Sequence, residues 1–284
     1  MKICAICGIS KQMMKKIKYI LLFLPFTIAA QNNCKVNNQS FQSNEQLTYT
    51  IYYNWGVIWL ETGEVNFTTT LVDLNDIKVF HFIGSGATYP KYDWFFKVRD
   101  KYESYADTST LKPLRFIREV NEGSNFAHDD YVFNSKKNKI YTAELRNKKP
   151  LKLDSMQLQA CTNDVLTAIA YARCLDFSLY KPNDTIPITF VLDGKTYPSY
   201  MRYVGKEIIN TELFGRIRCI KFCPKLIDGT IFKAGEAMTV WATDDKNKIP
   251  VYIEASITVG YIKVKLIKHS GLRNKIDCFV PKIK

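Results

Sequence analysis

Residues 236–268, E-A-M-T-V-W-A-T-D-D-K-N-K-I-P-V-Y-I-E-A-S-I-T-V-G-Y-I-K-V-K-L-I-K, decide the fold. They hold three strand-like runs, parted by the polar turn Asp244-Asp245-Lys246-Asn247-Lys248 and by Gly260. From Val251 onward the apolar residues Val251, Ile253, Ala255, Ile257 and Val259 take every second position, and Tyr252, Glu254, Ser256 and Thr258 take the other face. Period two marks a strand with one buried and one wet side. After Gly260 the phase passes to Ile262, Val264 and Leu266, with Lys263 and Lys265 facing out. Pro250 opens its strand, where a missing N–H costs little. The pattern is an antiparallel meander, and nothing within it suggests a reaction.

The same alternation recurs upstream. Leu47, Tyr49, Ile51 and Tyr53 share one face of a first strand, and 59–70 and 79–83 follow. Gly84-Ser85-Gly86 then reads as a turn or bulge: it lacks the G-x-S-x-G of a nucleophile elbow and the Gly-Lys-Ser/Thr of a phosphate loop. Further strands are expected at 98–106, 114–120, 131–133, 139–145, 188–192, 196–204 and 213–222, with Asp193-Gly194 and Asp228-Gly229 as turns. One helix interrupts them at about 163–175. Thr162 or Asn163 suits its cap, Asp164 its positive end and Arg173 its negative end. The expected fold is mainly β, an antiparallel meander forming an open or closed barrel that this helix covers or plugs. With no linker and no repeat of fixed period, residues 44–270 read as a single β-rich domain, preceded by a loose polar lead-in (31–43) and followed by a tail (271–284).

The chain of 284 residues carries a formal charge of +13, but five of the positive charges fall in the first thirty residues, which contain no acid. The remaining lysines are scattered over strand faces, with no clustered reader of nucleic acid. Lys15-Lys16-Ile17-Lys18 precedes a short apolar run and the small-residue end Thr27-Ile28-Ala29-Ala30. That is the layout of a secretory signal peptide, cleaved near Ala30, with Met13 or Met14 as the initiator and 1–12 as an upstream extension. The apolar run is too short to span a bilayer. The expected location is the periplasm or outer envelope of a bacterium, with no transmembrane span in the mature chain.

Six of the eight cysteines lie beyond that segment. Export allows disulfides, and six cysteines permit fifteen full pairings. Cys219 and Cys223 share a strand face about 13 Å apart along it and cannot join. Cys34, in a segment that frays unless tied, and Cys161, at the junction before the helix, are the candidate pair; free thiols are the alternative.

Chemistry-bearing residues are sparse. His81, His128 and His269 are the three histidines. His128-Asp129-Asp130 is the nearest approach to a metal cluster, but strand neighbours face opposite ways, so it reads as a surface turn. Asp100, Glu103 and Asp107, interleaved with Arg99 and Lys101, read as a salt-bridged surface. The densest aromatic patch is Tyr89, Tyr92, Trp94, Phe95 and Phe96, which can line an apolar ligand slot, dip into a membrane interface, or pack on the core. No catalytic constellation, metal site or cofactor site is expected.

Several segments together resemble the bacterial domain of unknown function 3108 family: F-K-V-R-D-K-Y-E-S-Y-A-D and L-K-P-L-R-F-I-R within 96–118, N-D-V-L-T-A-I-A-Y-A-R at 163–173, W-A-T-D-D-K-N-K-I-P-V at 241–251, N-E-Q-L-T-Y at 44–49, and the glycines around 56–64. The resemblance implies an exported β-rich protein, with Asp100, Trp241, Asp244, Asn247 and Pro250 as structural motif residues and no catalytic residue to carry over. W-x-x-D…P-V followed by two strands is also, more distantly, similar to the outer-membrane lipoprotein carriers. Those are half-open barrels with a helical plug that hold acyl chains, although they use more helix. The expected role is therefore a binding or carrier protein for a lipid-like or other apolar ligand. The alternative is an envelope structural or interaction protein with a filled core, and an enzyme comes third.

Overall fold

Alternating apolar residues dictate both the strands and their order. The computed structural model describes residues 34, 36–227 and 233–281; the expected leader and the Asp228-Gly229 turn lie outside them. The strands are β1 (Glu45–Trp55), β2 (Ile58–Leu74), β3 (Ile77–Thr88), β4 (Arg99–Asp107), β5 (Pro113–Glu122), β6 (Asn125–Asn134), β7 (Lys139–Arg146), β8 (Lys152–Gln157), β9 (Thr162–Asn163), β10 (Thr185–Leu192), β11 (Lys195–Thr211), β12 (Gly215–Pro224), β13 (Met238–Thr243), β14 (Pro250–Ser256) and β15 (Tyr261–Ser270). One α-helix, α1 (Val165–Cys174), stands between β9 and β10. All join one sheet in the order β8-β7-β6-β5-β4-β3-β2-β1-β15-β14-β13-β12-β11-β10-β9. First and last strands pair, with Tyr53 opposite Ile262 and Gln46 opposite Ser270. Each other neighbour is also a sequence neighbour, and every pairing is antiparallel except β9 with β10. Parallel strands need a crossover, commonly a helix, which is why α1 appears where it does.

The barrel is open. Its two edge strands, β8 and β9, are separated by only residues 158–161, yet no backbone ladder joins them. The β10–β11 turn meets β5–β7 instead. Asp193 and Gly194 both adopt positive φ (46° and 62°), as a two-residue hairpin turn of this hand requires. The Gly194 amide donates to the Tyr131 hydroxyl at 2.9 Å, and Asp193 accepts from Arg118 and Arg146. Asp129 of β6, with no exposed surface, takes both arginines as well.

Helix α1 packs within the curl against β3, β4 and β10. Its buried Leu166, Ala168, Ala170 and Ala172 join Phe80, Phe82, Ile186, Ile188, Phe222 and Val240 in the main core. Among the described residues no helix is long and apolar enough to cross a membrane.

Several details correct the sequence reading. Gly84-Ser85-Gly86 is neither turn nor strand end, because β3 runs through it; a Cβ on Gly84 would stand 3.1 Å from Phe67 and 3.2 Å from Leu166, so the glycine admits α1 close to the sheet. β14 ends at Ser256, and Val259, read as the last buried position of that strand, is 70% exposed on the following turn. The His128-Asp129-Asp130 triplet is in mid-strand, not a surface turn, with Asp129 buried between arginines. Thr162 and Asn163 do not cap the helix, because they form β9; Asp164 does. The lead-in is packed rather than loose: Val36, Ser40 and Phe41 are buried.

Candidate functional site

The concave face of β1 carries Glu45, Leu47 and Tyr49 at alternate positions, and Phe67, Phe82, Phe222, Val240, Ile253 and Val264 face it from other strands. Between these walls and α1 lies a cavity of about 420 Å³, bounded almost wholly by aliphatic and aromatic side chains. Tyr49 and Phe67 meet edge to face at 5.7 Å. The helix contributes Leu166 and Ile169 as apolar wall, and Ala168, Ala170 and Ala172, whose small side chains leave room where larger ones would fill it. Toward one end of the strands the cavity reaches Leu226, Met238 and Ile262.

At the other end the cavity is stoppered by a buried ion pair. Arg173, in the last turn of α1, donates to the Glu45 carboxylate at 2.6 and 3.0 Å, and its Nε donates to the Asn247 carbonyl at 3.0 Å. Its guanidinium lies 4.1 Å from the Phe41 ring centre. Burial by itself would depress Arg173, but the adjoining Glu45 carboxylate outweighs it and holds the guanidinium above its ordinary pKa. Ser40 shares its hydroxyl between the carbonyls of Arg173 (2.7 Å) and Lys246 (2.8 Å). Burial also raises the Tyr49 phenol, against the opposing pull of Arg173, so the hydroxyl keeps its proton. No hydrogen bond joins that hydroxyl to another described residue.

The N-terminal end of α1 is fixed just as firmly. Asp164 Oδ1 accepts from the Leu166 and Thr167 amides (2.8 and 2.9 Å) and from Ser104 of β4 (2.6 Å), while Thr167 Oγ1 accepts from the Asp164 amide. Burial nevertheless pushes the Asp164 carboxyl from 3.8 up to about 6. Cys34 and Cys161 form a disulfide with Cα atoms 5.4 Å apart, tying the lead-in to the residue before β9. Cys174, Cys219, Cys223 and Cys278 are buried free thiols.

The aromatic patch singled out in the sequence lies elsewhere. Tyr89, Tyr92, Trp94, Phe95 and Phe96 belong to the β3–β4 connection, and none of them lines the cavity. Of the motif residues, Trp241, Asp244, Asn247 and Pro250 lie on or beside the β13–β14 turn, and Asp100 lies in β4. Asn247 is fully buried, donates to the Asn274 carbonyl and accepts the Asn274 amide. Asp244 pairs with Lys206 at 2.9 Å, Trp241 donates to Glu207 at 3.0 Å, and Pro250 pairs with Ala242 at the strand start. Asp100 accepts the Asn121 amide and hydrogen-bonds Glu122; burial raises both carboxyls, and the Asp100 charge raises Glu122 further. Glu103 is held by His81 and Lys101, and Asp107 accepts from Ser109 and Thr110 in its own turn. These acids serve the sheet. Among the described residues no three His, Cys, Asp or Glu side chains converge as a metal site would require.

Sequence reasoning did not find the Glu45–Arg173 pair. The one signal was a charged residue heading the otherwise apolar row Glu45, Leu47, Tyr49, and alternation cannot name its partner 128 residues away. A second, more open depression of about 730 Å³ lies between the β11–β12 turn and Phe279–Val280, outside the barrel interior.

A protein-family profile described as "Protein of unknown function (DUF3108)" matches residues 48–267. No curated protein matches the chain. Among solved structures, it is similar to a beta-barrel-like protein of domain of unknown function DUF1849 from Brucella abortus, at 11% identity and a TM-score of 0.55, over 81% of this chain and 98% of that one. At that identity the likeness is one of fold.

Proposed function

Since the chain belongs to the DUF3108 family of proteins of unknown function, its role has to be read from its interior, and we propose that it is an exported, non-catalytic carrier that holds one lipid-like molecule in the barrel. The observation that carries this reading is the apolar cavity of about 420 Å³, within the range of about 300–1,000 Å³ of small-molecule sites. A structural protein with a filled core would have no use for such a space. The disulfide supports export, because such bonds persist in oxidising compartments.

The polar end narrows the ligand. Glu45 and Arg173 cancel one another's charge, so an ionised headgroup would be desolvated there without a free counter-charge. The protonated Tyr49 hydroxyl offers one hydrogen bond to a neutral head. A long-chain alcohol or monoacylglycerol fits this arrangement better than a fatty-acid anion.

Native mass spectrometry of protein purified from its own cell envelope tests the reading. The expected spectrum shows a stoichiometric apolar adduct that disappears in Ala168→Phe, whose ring fills the cavity, while the melting temperature is maintained. An adduct-free protein that also fails to bind a long-chain alcohol would overturn it.

A further inference from the structure

We propose that the end of the barrel formed by the β1–β2 turn, the β14–β15 turn and the β3–β4 connection docks on an anionic lipid bilayer. This goes beyond the carrier reading, because it concerns the outer surface and stands whatever the cavity holds.

Strand register brings these segments together. Trp55 faces Ile58 across the first turn, Ser256 faces Tyr261 across the second, and Tyr53 of β1 lies opposite Ile262 of β15. The Tyr53 hydroxyl donates to the Val259 carbonyl at 3.1 Å, which joins the two turns directly. The β3–β4 connection leaves β3 beside Gly63 of β2, and the Tyr89 amide donates to the Thr62 carbonyl at 2.9 Å. All three segments therefore project from one end of the sheet.

What they project is largely apolar and largely exposed. Val57, at a turn tip, is 98% exposed, Trp94 is 84% exposed and Val259 70%. Ile58, Phe95 and Tyr261 are more than half exposed beside them. Turn tips ordinarily take glycine, asparagine or aspartate, so the large side chains of Val57 and Val259 there are exposed where turn chemistry does not call for them. Exposed clusters of this kind mark interaction sites. Tryptophan and tyrosine prefer the headgroup level of a bilayer, and apolar side chains can enter it by about 5–10 Å.

Charge selects the partner. Lys263 lies 4.2 Å from the Trp59 ring centre, Lys91 5.0 Å from that of Tyr92 and Lys233 5.9 Å from that of Tyr261. Lys97 adds a fourth cation. Of the acids at this end, Asp93 pairs with Arg99 at 2.7 Å and Glu254 with Lys263 at 3.7 Å, Asp100 and Glu122 hydrogen-bond one another, and Glu61 accepts from the Tyr89 hydroxyl. Lys91, Lys97 and Lys233 are thus the cations with no ion pair among the described residues. Lysines around an aromatic patch match an anionic membrane surface. The cavity also reaches this end, through Leu226, Met238 and Ile262, so a docked barrel would present its interior to the bilayer.

Flotation of the full chain with phosphatidylcholine vesicles, with and without phosphatidylglycerol, tests the surface. Wild-type protein should float with the anionic vesicles. Trp94→Ala with Phe95→Ala, and separately Lys91→Glu with Lys263→Glu, should each cut that fraction at least about tenfold. Ile77→Ser removes an exposed apolar residue from the opposite end and should leave it unchanged. Failure of the wild-type chain to float, or equal flotation of the Trp94/Phe95 variant, overturns the proposal. So does a self-associated or protein-bound form in vesicle-free solution that the same variants dissociate. Melting temperature and long-chain alcohol binding, measured on each variant, separate a failure here from a failure of the carrier reading.

Discussion

Asp164 shows how one side chain can be pulled in opposite directions. A carboxylate at a helix N-cap is favoured by the amides it caps and by the helix dipole. Here burial wins: Oδ2 has no partner among the described residues, and the acid rises from 3.8 to about 6. As pH climbs, the unfolded carboxyl ionises first, so between about pH 4 and pH 6 the folded chain holds the extra proton. Stability from this group is therefore complete below about pH 4 and is lost as pH passes 6. A shift of roughly two units corresponds to about 3 kcal/mol. Asp164→Asn keeps a good cap without the titration. Urea unfolding should show the wild type losing stability relative to the Asn variant across that window, and parallel pH profiles would reject the argument. Asp164 was legible as a residue for the helix start, but its capping role was not. Thr162 and Asn163 were equally plausible caps until pairing with Thr189 and Phe190 drew them into β9.

At the scale of elements, alternation was enough wherever a strand has one wet face, and it failed in two kinds of place. β8 is exposed at nearly every position, so it carries no period to read. β6 was read short at its start because Asp129 looks like surface, and its burial depends on Arg118 and Arg146 from two neighbouring strands. The lead-in was legible only through Cys34. Its packing depends on Ser40 and Phe41 meeting the far end of α1, contacts that no local pattern announces. The disulfide spans 127 residues, and in the chain-entropy account closing so long a loop stabilises the folded state by about 4–5 kcal/mol. Replacing Cys34 and Cys161 together by serine should lower the unfolding free energy by that order in non-reducing denaturation. A loss below about 1 kcal/mol would mean that the bridge does not restrain the chain.

The molecule as a whole depends on a seam that the strand pattern does not reveal. Alternation could say that a meander curls, but not whether its edges meet, because closure requires a ladder between β8 and β9 that does not form. The cavity was hidden for a related reason: its walls come from many strands at once, and no segment contributes enough of it to be noticed. What holds the seam is a charge cluster. Asp129, fully buried, accepts from Arg118 and Arg146, and both arginines reach on to Asp193 at the β10–β11 turn. The two acids should therefore behave differently. Asp129→Asn leaves two arginines facing a neutral amide with little water, a change that costs about 3–5 kcal/mol when one partner of a buried pair is removed. Asp193 is half exposed, and Asp193→Asn should cost about 1 kcal/mol or less. Amide exchange should locate the damage: in Asp129→Asn, protection falls first in the β10–β11 turn and in β5–β7, while β1, β2 and β15 on the far wall retain theirs. Equal costs for the two variants, or a uniform loss of protection around the sheet, would show that the seam is held by something other than this cluster.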